Sequence, residues 1–303
     1  RKNRPFERGL EVSWRVVVVT KNSKVDYKLD YLVVRTVDDI VRVHLSEIGV
    51  LIIESTAVSI TAYLLNELVK RKVKVIFCDG ERNPCSELVP MHGCHDSSAK
   101  IRQQLGWSDF AKQQVWTEIV REKLRRQRAH LRCRGCIPQA ELITSYLEQM
   151  QLADSTNREG HAAKVYFNAL FGMEFTRTED NPINAALNYG YSLILSAVNR
   201  EISAAGYLNQ LGLFHENTYN PFNLGCDFME PLRPIVDKAV ISILPERFEK
   251  DEKAAMLSVL NAEVKYDGKQ QYLLYAIRLY CAGLFRALQS GDIEQIRWIE
   301  YEF

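Results

Sequence analysis

Near residue 80 the sequence changes its period, and that change constrains the fold more than any other feature. Upstream, β-branched residues and turn formers dominate. Residues 14–20 (WRVVVVT) predict a strand, and further strands are expected at 25–29, 31–35, 40–44 and 48–54, with Asn22 and Asp30 as turn residues. One helix over 60–71 and a strand at 74–78 (KVIFC) complete the series. Short strands so closely spaced predict an antiparallel meander. Residues 79–98 hold two prolines, two glycines and many turn formers, so the domain boundary belongs there. Downstream the apolar spacing is helical, with helices expected at 158–171, near 182–205, at 252–264 and at 270–289. The expected class is therefore α+β. A small N-terminal β domain of antiparallel strands plus one helix (13–90) precedes a larger all-α domain (91–303). Residues 1–12 are set aside as an extension or an expression remnant.

Several function classes drop out. The first strand exits through Lys21-Asn22-Ser23, without a glycine-rich phosphate loop, so a dinucleotide site has no support. The most apolar later segment, 185–205, carries Asn188, Asn199, Arg200 and Glu201, which predicts a buried helix and no membrane span. The basic first residues lack the apolar run of a secretory signal. Seven cysteines without a dense framework read as reduced thiols in a cytoplasmic protein. With 39 basic and 38 acidic residues, any surface for nucleic acid must arise from segregation of charge. Such segregation exists: residues 101–135 hold nine Lys or Arg against three acids. A solvated helix face accounts for this run, and phosphate binding is the sharper reading.

Three segments carry candidate chemistry. In Asn157-Arg158-Glu159-Gly160-His161, Thr156 and Glu159 have capping-box spacing. Yet Glu159 shares a face with Ala163, Tyr166 and Leu170, where a carboxylate needs a pair or a cation, so cap and ligand both stay open. His215 follows the apolar run of Leu213-Phe214. Position 219 is Tyr, so the two-histidine zinc-protease helix is excluded. In Asp227-Phe228-Met229-Glu230-Pro231-Leu232-Arg233-Pro234, a helix would place Asp227, Glu230 and Arg233 on one face. Carboxylates with one imidazole suit Mg²⁺ or Mn²⁺ better than structural Zn²⁺. Such a metal site is the usual equipment of phosphodiester chemistry. Cys133-x-x-Cys136 is a single pair. Cys85 and Cys94 do not complete a zinc ribbon, although His92 and His95 lie near Cys94.

At these residues the chain resembles the CRISPR-associated integrase family, the universal endonuclease subunit of the adaptation complex that inserts new spacers. The resemblance rests on His95-Asp96-Ser97-Ser98, residues 155–163 (STNREGHAA), 182–191 (PINAALNYGY), 227–237 (DFMEPLRPIVD) and, for type II members, 14–18 (WRVVV), and it covers about residues 13–290. It implies Glu159, His215 and Glu230 as ligands of Mg²⁺ or Mn²⁺, with Asp227 as an auxiliary acid and Arg233 as a phosphate contact. Arg121, Arg125 and Arg128 are the expected DNA contacts. The resemblance also implies a homodimer formed through the N-terminal domain and a small ferredoxin-like adaptation subunit as partner. Double-stranded DNA, both prespacer and repeat, is the implied substrate. The segment before His215 lacks the proline found there in many relatives. The expected activity is insertion of short duplexes into a repeat array by 3′-hydroxyl transesterification. The alternatives are a general metal nuclease on branched DNA and a non-catalytic DNA-binding scaffold.

Overall fold

The computed structural model describes residues 15–80, 82–90 and 96–303. The chain divides into two compact units, 1–88 and 89–303. Trp14, His92, Cys94 and His95 lie outside the described residues.

The first unit holds β1 (Arg15–Val19), β2 (Ser23–Lys28), β3 (Tyr31–Arg35), β4 (Ile40–His44), β5 (Ile48–Ile53), β6 (Val58–Ile60), α1 (Ala62–Lys70), β7 (Lys74–Cys78) and β8 (Pro84–Leu88). They form two four-stranded sheets, ordered β1-β5-β7-β8 and β4-β3-β2-β6. Here the expectation of a purely antiparallel meander needs correction. β2-β3-β4 and β7-β8 pair that way in sequence, while β1 with β5, β5 with β7 and β2 with β6 are parallel. The physical reason is visible in composition. β1 (RVVVV) and β5 (IGVLII) are continuous apolar runs, as strands covered on both faces are, and β5 is buried along its whole length. Leu29 and Asp30, with φ of 50° and 64°, make the two-residue turn between β2 and β3. Val25, Leu32, Leu45, Leu51, Leu64 and Val75 meet in the core of this unit.

The second unit begins with α2 (Ser97–Leu105), α3 (Asp109–Cys133), α4 (Ile137–Gln149), α5 (Arg158–Phe171) and α6 (Pro182–Ala204). It continues with α7 (Asn223–Met229), a 3-10 turn at Glu230–Leu232, α8 (Arg233–Ile243) and α9 (Lys250–Ser258). Last come β9 (Glu263–Tyr266), β10 (Lys269–Tyr272), α10 (Leu273–Ser290) and β11 (Ile299–Glu300). The unit is mainly helical but not all-α, because β9, β10 and β11 form a three-stranded antiparallel sheet. The helix expected at 252–264 stops at Ser258, and the one expected from 270 starts at Leu273. Asp267 and Gly268, with φ of 50° and 72°, form a tight hairpin there. An Asp-Gly pair between alternating residues is a strong hairpin signal.

The long helix α3 starts at Ser108, whose side chain accepts from the Ala111 N–H at 3.1 Å. It is buried on much of its surface, through Val115, Trp116, Ile119, Val120, Leu124 and Leu131. Helices α6 and α8 approach closely at Gly190, where an added Cβ would land on Val236 Cγ1. Gly190→Ala should destabilise the chain by about 1–3 kcal/mol through overpacking, read as a lower thermal midpoint. Wild-type melting would show that the two helices slide apart freely. Among the described residues no helix is long and apolar enough to cross a membrane.

Candidate active site

Helix α5 is capped without its glutamate. Asp154 accepts from the N–H groups of Arg158 and Glu159 at 2.7 and 2.9 Å, and Asn157 accepts from Gly160 at 3.3 Å. The N-cap is Asn157, in the left-handed region at φ 51°. The capping box suggested by Thr156 and Glu159 is therefore absent, because Asp154 already satisfies those donors. This frees the Glu159 carboxylate to leave the helix end.

It meets Lys123. The Lys123 ammonium donates to Glu159 Oε1 at 2.5 Å and to Glu230 Oε2 at 2.5 Å. Three elements thus converge: α3 brings the ammonium, α5 one carboxylate and the 3-10 turn after α7 the other. Lys123 is 6% exposed and Glu230 3%. The Pro231 and Pro234 rings fix the backbone around Glu230 and let the chain turn from α7 into α8. Arg233 Nε donates to Glu230 Oε1 at 2.8 Å, and its guanidinium lies over the Tyr191 ring at 4.6 Å. Burial pushes the Glu230 carboxyl up, but Arg233 and Lys123 outweigh it and the net direction is down. Burial likewise works against the Lys123 ammonium, and Glu230 and Glu159 reverse the sign, so it stays charged.

His215 is placed by Asp227. The fully buried Asp227 carboxylate accepts from the backbone N–H groups of Leu213, Phe214 and His215 at 2.5, 3.1 and 3.3 Å. Its Oδ1 also lies 2.5 Å from His215 Nδ1. Gly212 permits the close approach, since a Cβ there would strike His215 O and crowd Asp227 Oδ2. Phe214 stacks on Trp116 at 4.6 Å, and the His215 ring stands edge-on to the same indole at 5.7 Å. With Nδ1 committed to Asp227, Nε2 is the nitrogen left for a ligand. The Asp227 hydrogen bond raises the His215 pKa against the effect of burial, and Glu230 and Glu159 add to the rise.

A buried polar layer lies two helical turns from these groups. His130, Tyr166 and Asp237 each follow a site residue by seven positions, after Lys123, Glu159 and Glu230 respectively. His130 Nδ1 lies 2.7 Å from the Tyr166 hydroxyl, and the Tyr191 hydroxyl donates to Asp237 Oδ1. Burial lowers the His130 pKa to about 4 and raises that of Asp237 to about 6.

Not every expected residue lands here. Arg121 pairs with Glu118 at 2.6 Å, and Arg125 reaches Glu118 and Glu122 at 3.9 and 3.3 Å. Arg128 lies 3.5 Å from the Thr144 hydroxyl. Arg233 is turned inward to Glu230 and Tyr191. Asp227 accepts from the 213–215 loop and faces the His215 ring, which Glu230 also influences, while Arg233 pairs with Glu230. Cys133 and Cys136 are free thiols, and Cys133 Sγ faces Phe303 O at 3.2 Å. A cavity of about 1110 Å³ elsewhere in the unit, lined by Arg126, Lys238 and Tyr301 among others, includes none of Lys123, Glu159, His215 and Glu230.

Among the described residues no three His, Cys, Asp or Glu side chains close up into a ligand cluster. Glu159 and Glu230 instead share the ammonium. The donor set nevertheless suits a hard divalent cation, with two carboxylates already drawn to one positive charge and an imidazole oriented through its other nitrogen.

The family model of CRISPR associated protein Cas1 matches residues 16–265. The chain belongs to the Cas1 family. A CRISPR-associated endonuclease Cas1 of Neisseria meningitidis serogroup C is 34% identical over 291 residues, covering 94% of this chain and 96% of the relative. Among solved structures, a casposase bound to integration product superposes with a TM-score of 0.73 at 19% identity, over 92% of this chain and 91% of that one. A Cas6–RT–Cas1–Cas2 complex matches with a TM-score of 0.73 at 17% identity, over 95% of this chain and 36% of the longer one. These likenesses place the β-rich unit followed by a helical unit among Cas1 folds.

Lys123 is the site residue that sequence reasoning passed over, counted only as one of nine basic residues in its run. A signal was present: the α3 stripe Trp116, Ile119, Val120 continues at helical spacing through Lys123, Gln127 and His130. A lysine on such a stripe needs buried partners of opposite charge.

Proposed function

We propose that this Cas1-family chain is a divalent-metal-dependent DNA endonuclease and integrase of CRISPR adaptation, joining 3′-hydroxyl ends of a short duplex to a repeat by transesterification. The observation that carries the reading is the meeting of Glu159 and Glu230, from separate elements, on one positive charge beside an imidazole aimed by Asp227. The endonuclease name of the meningococcal relative and the integration product in the casposase structure support the same chemistry. Glu159, His215 and Glu230 would hold Mg²⁺ or Mn²⁺. When bound, such an ion lends positive charge to the attacked phosphate and the attacking oxygen.

The side chains then divide the work. Glu159 and Glu230 would supply the negative charge, and His215 would serve as a neutral ligand because Asp227 holds its Nδ1–H. Arg233 keeps Glu230 ionised and in place from the side away from Lys123. Arg121, Arg125 and Arg128 lie along α3 as candidate phosphate contacts, the general route to affinity for duplex DNA. The partners in this reading are double-stranded DNA, a second copy of the chain and a small ferredoxin-like adaptation subunit, in the cytoplasm. The Cas6–RT–Cas1–Cas2 assembly of the structural neighbour supports the last of these partners.

The test is a strand-transfer assay with supplied duplex, a repeat-bearing plasmid, Mn²⁺ or Mg²⁺ and the small subunit. Branched joined products are expected from the wild-type chain, and none from Glu159→Ala or after chelation. Shortened DNA without joined products would replace the integrase by a general nuclease. Equal yields from Glu159→Ala would leave only a DNA-binding scaffold.

A further inference from the structure

We infer that the Lys123 ammonium is a resident counter-ion of the Glu159 and Glu230 carboxylates, and that a divalent cation enters the site by displacing it. The inference rests on the metal reading above and adds a residue that the reading does not contain.

The argument starts from charge. Two carboxylates cannot be drawn together in a buried place unless a positive charge lies between them. Lys123 Nζ is 2.5 Å from an oxygen of each. The lysine reaches this point from α3, through a side chain that is itself 8% exposed. An ammonium and a divalent ion that share two carboxylate oxygens must lie within a few Å of each other, where repulsion is strong and screening weak. Both cannot stay. The lysine is the mobile party, being a point charge on a flexible four-carbon stem, whereas Glu230 is pinned at its other oxygen by Arg233. The same fact explains why the acids and His215 do not gather into a ligand cluster: the ammonium already holds the central place.

Two consequences follow. Without metal, Lys123 keeps the acids paired and the three elements together. With metal, its displacement subtracts from the observed affinity, as for any ligand that must first move an internal competitor. Lys123 is thus a positioning residue that sets how readily the site loads.

Calorimetric titration with Mn²⁺ alone, and thermal melts without metal, should be compared for wild type, Lys123→Met and His215→Ala. Lys123→Met should bind Mn²⁺ about tenfold tighter or better, and melt roughly 5 °C or more lower when metal-free. Wild-type or weaker Mn²⁺ affinity in Lys123→Met, with binding lost in His215→Ala, would overturn the inference and leave the metal reading standing. No Mn²⁺ binding in any of the three would overturn both. Should Lys123→Met not fold, amine labelling of the wild-type chain followed by mass spectrometry gives the answer. Labelling of Lys123 should rise several-fold on adding Mg²⁺, and unchanged labelling would refute displacement.

Discussion

His215→Ala should lower strand transfer by roughly a thousandfold or more, about 4 kcal/mol in barrier, while duplex affinity stays within about twofold of wild type. The two quantities separate because they rest on different groups. In the proposed metal site the imidazole would be a single ligand, its ring oriented by Asp227 and Trp116, and alanine offers no substitute donor at that point. In the proposed function, duplex affinity comes from phosphate contacts spread along the surface. Glu230→Gln should act in the same direction, since it keeps the shape and removes one of the two charges. No covalent intermediate is expected in either variant or in wild type. Tyr219, the nearest tyrosine in sequence, is 96% exposed, and its backbone N–H donates to Asn217 Oδ1 at 2.9 Å. Gel-resolved strand transfer and binding isotherms at one salt concentration check this result. Wild-type transfer by His215→Ala, or a trapped tyrosyl–DNA species, would refute the mechanism.

Local apolar pattern was enough to read most elements. Strands β3, β4 and β7 and helix α5 fall where hydrophobic spacing places them, because each is decided by residues within it or immediately flanking it. Pairing was not legible in the same way. The parallel partnership of β1 and β5 is decided by contacts between residues more than thirty positions apart, and strand periodicity carries no such information. The β9–β10 hairpin went unread because the helices expected at 252–264 and 270–289 claimed its outer residues, leaving Asp267-Gly268 in the gap between them. At the site, the carboxylates and the imidazole were nameable from motif and resemblance. What local sequence hid was the division among them: Asp154 takes over the cap, Asp227 takes the loop, and Lys123 takes the centre. The Asp154 cap is local but sits outside the capping-box spacing, and the other two roles depend on neighbours distant in sequence.

The role of Asp227 gives the second large effect. Its fully buried carboxylate accepts three backbone N–H groups and faces the ring nitrogen of the half-buried His215. Asparagine keeps the volume but has one acceptor oxygen, and turns an amide donor toward other donors. Asp227→Asn should therefore cost about 2–4 kcal/mol, since buried donors lose a charged partner. At about 2–4 °C per kcal/mol, the thermal midpoint falls by roughly 5–15 °C. The deficit should also depend on pH, with a sign set by His215. The Asp227 hydrogen bond raises the His215 pKa above 6.5 in the folded chain. Protonation of His215 thus stabilises the fold fully below the ordinary histidine value, and this contribution fades as pH rises through the raised one. The variant lacks it, so the gap between wild type and Asp227→Asn should be widest near pH 5.5 and narrower at pH 8.5. In the proposed metal site a proton would compete with the cation for the same ring, so wild-type strand transfer should fall as pH drops through the raised His215 value. In Asp227→Asn the His215 midpoint, followed by NMR of the ring protons, should move down, since burial remains while its counterweight is gone. An unmoved midpoint, with a stability gap equal at both pH values, would mean that Asp227 serves only the backbone of the loop and does not aim the imidazole.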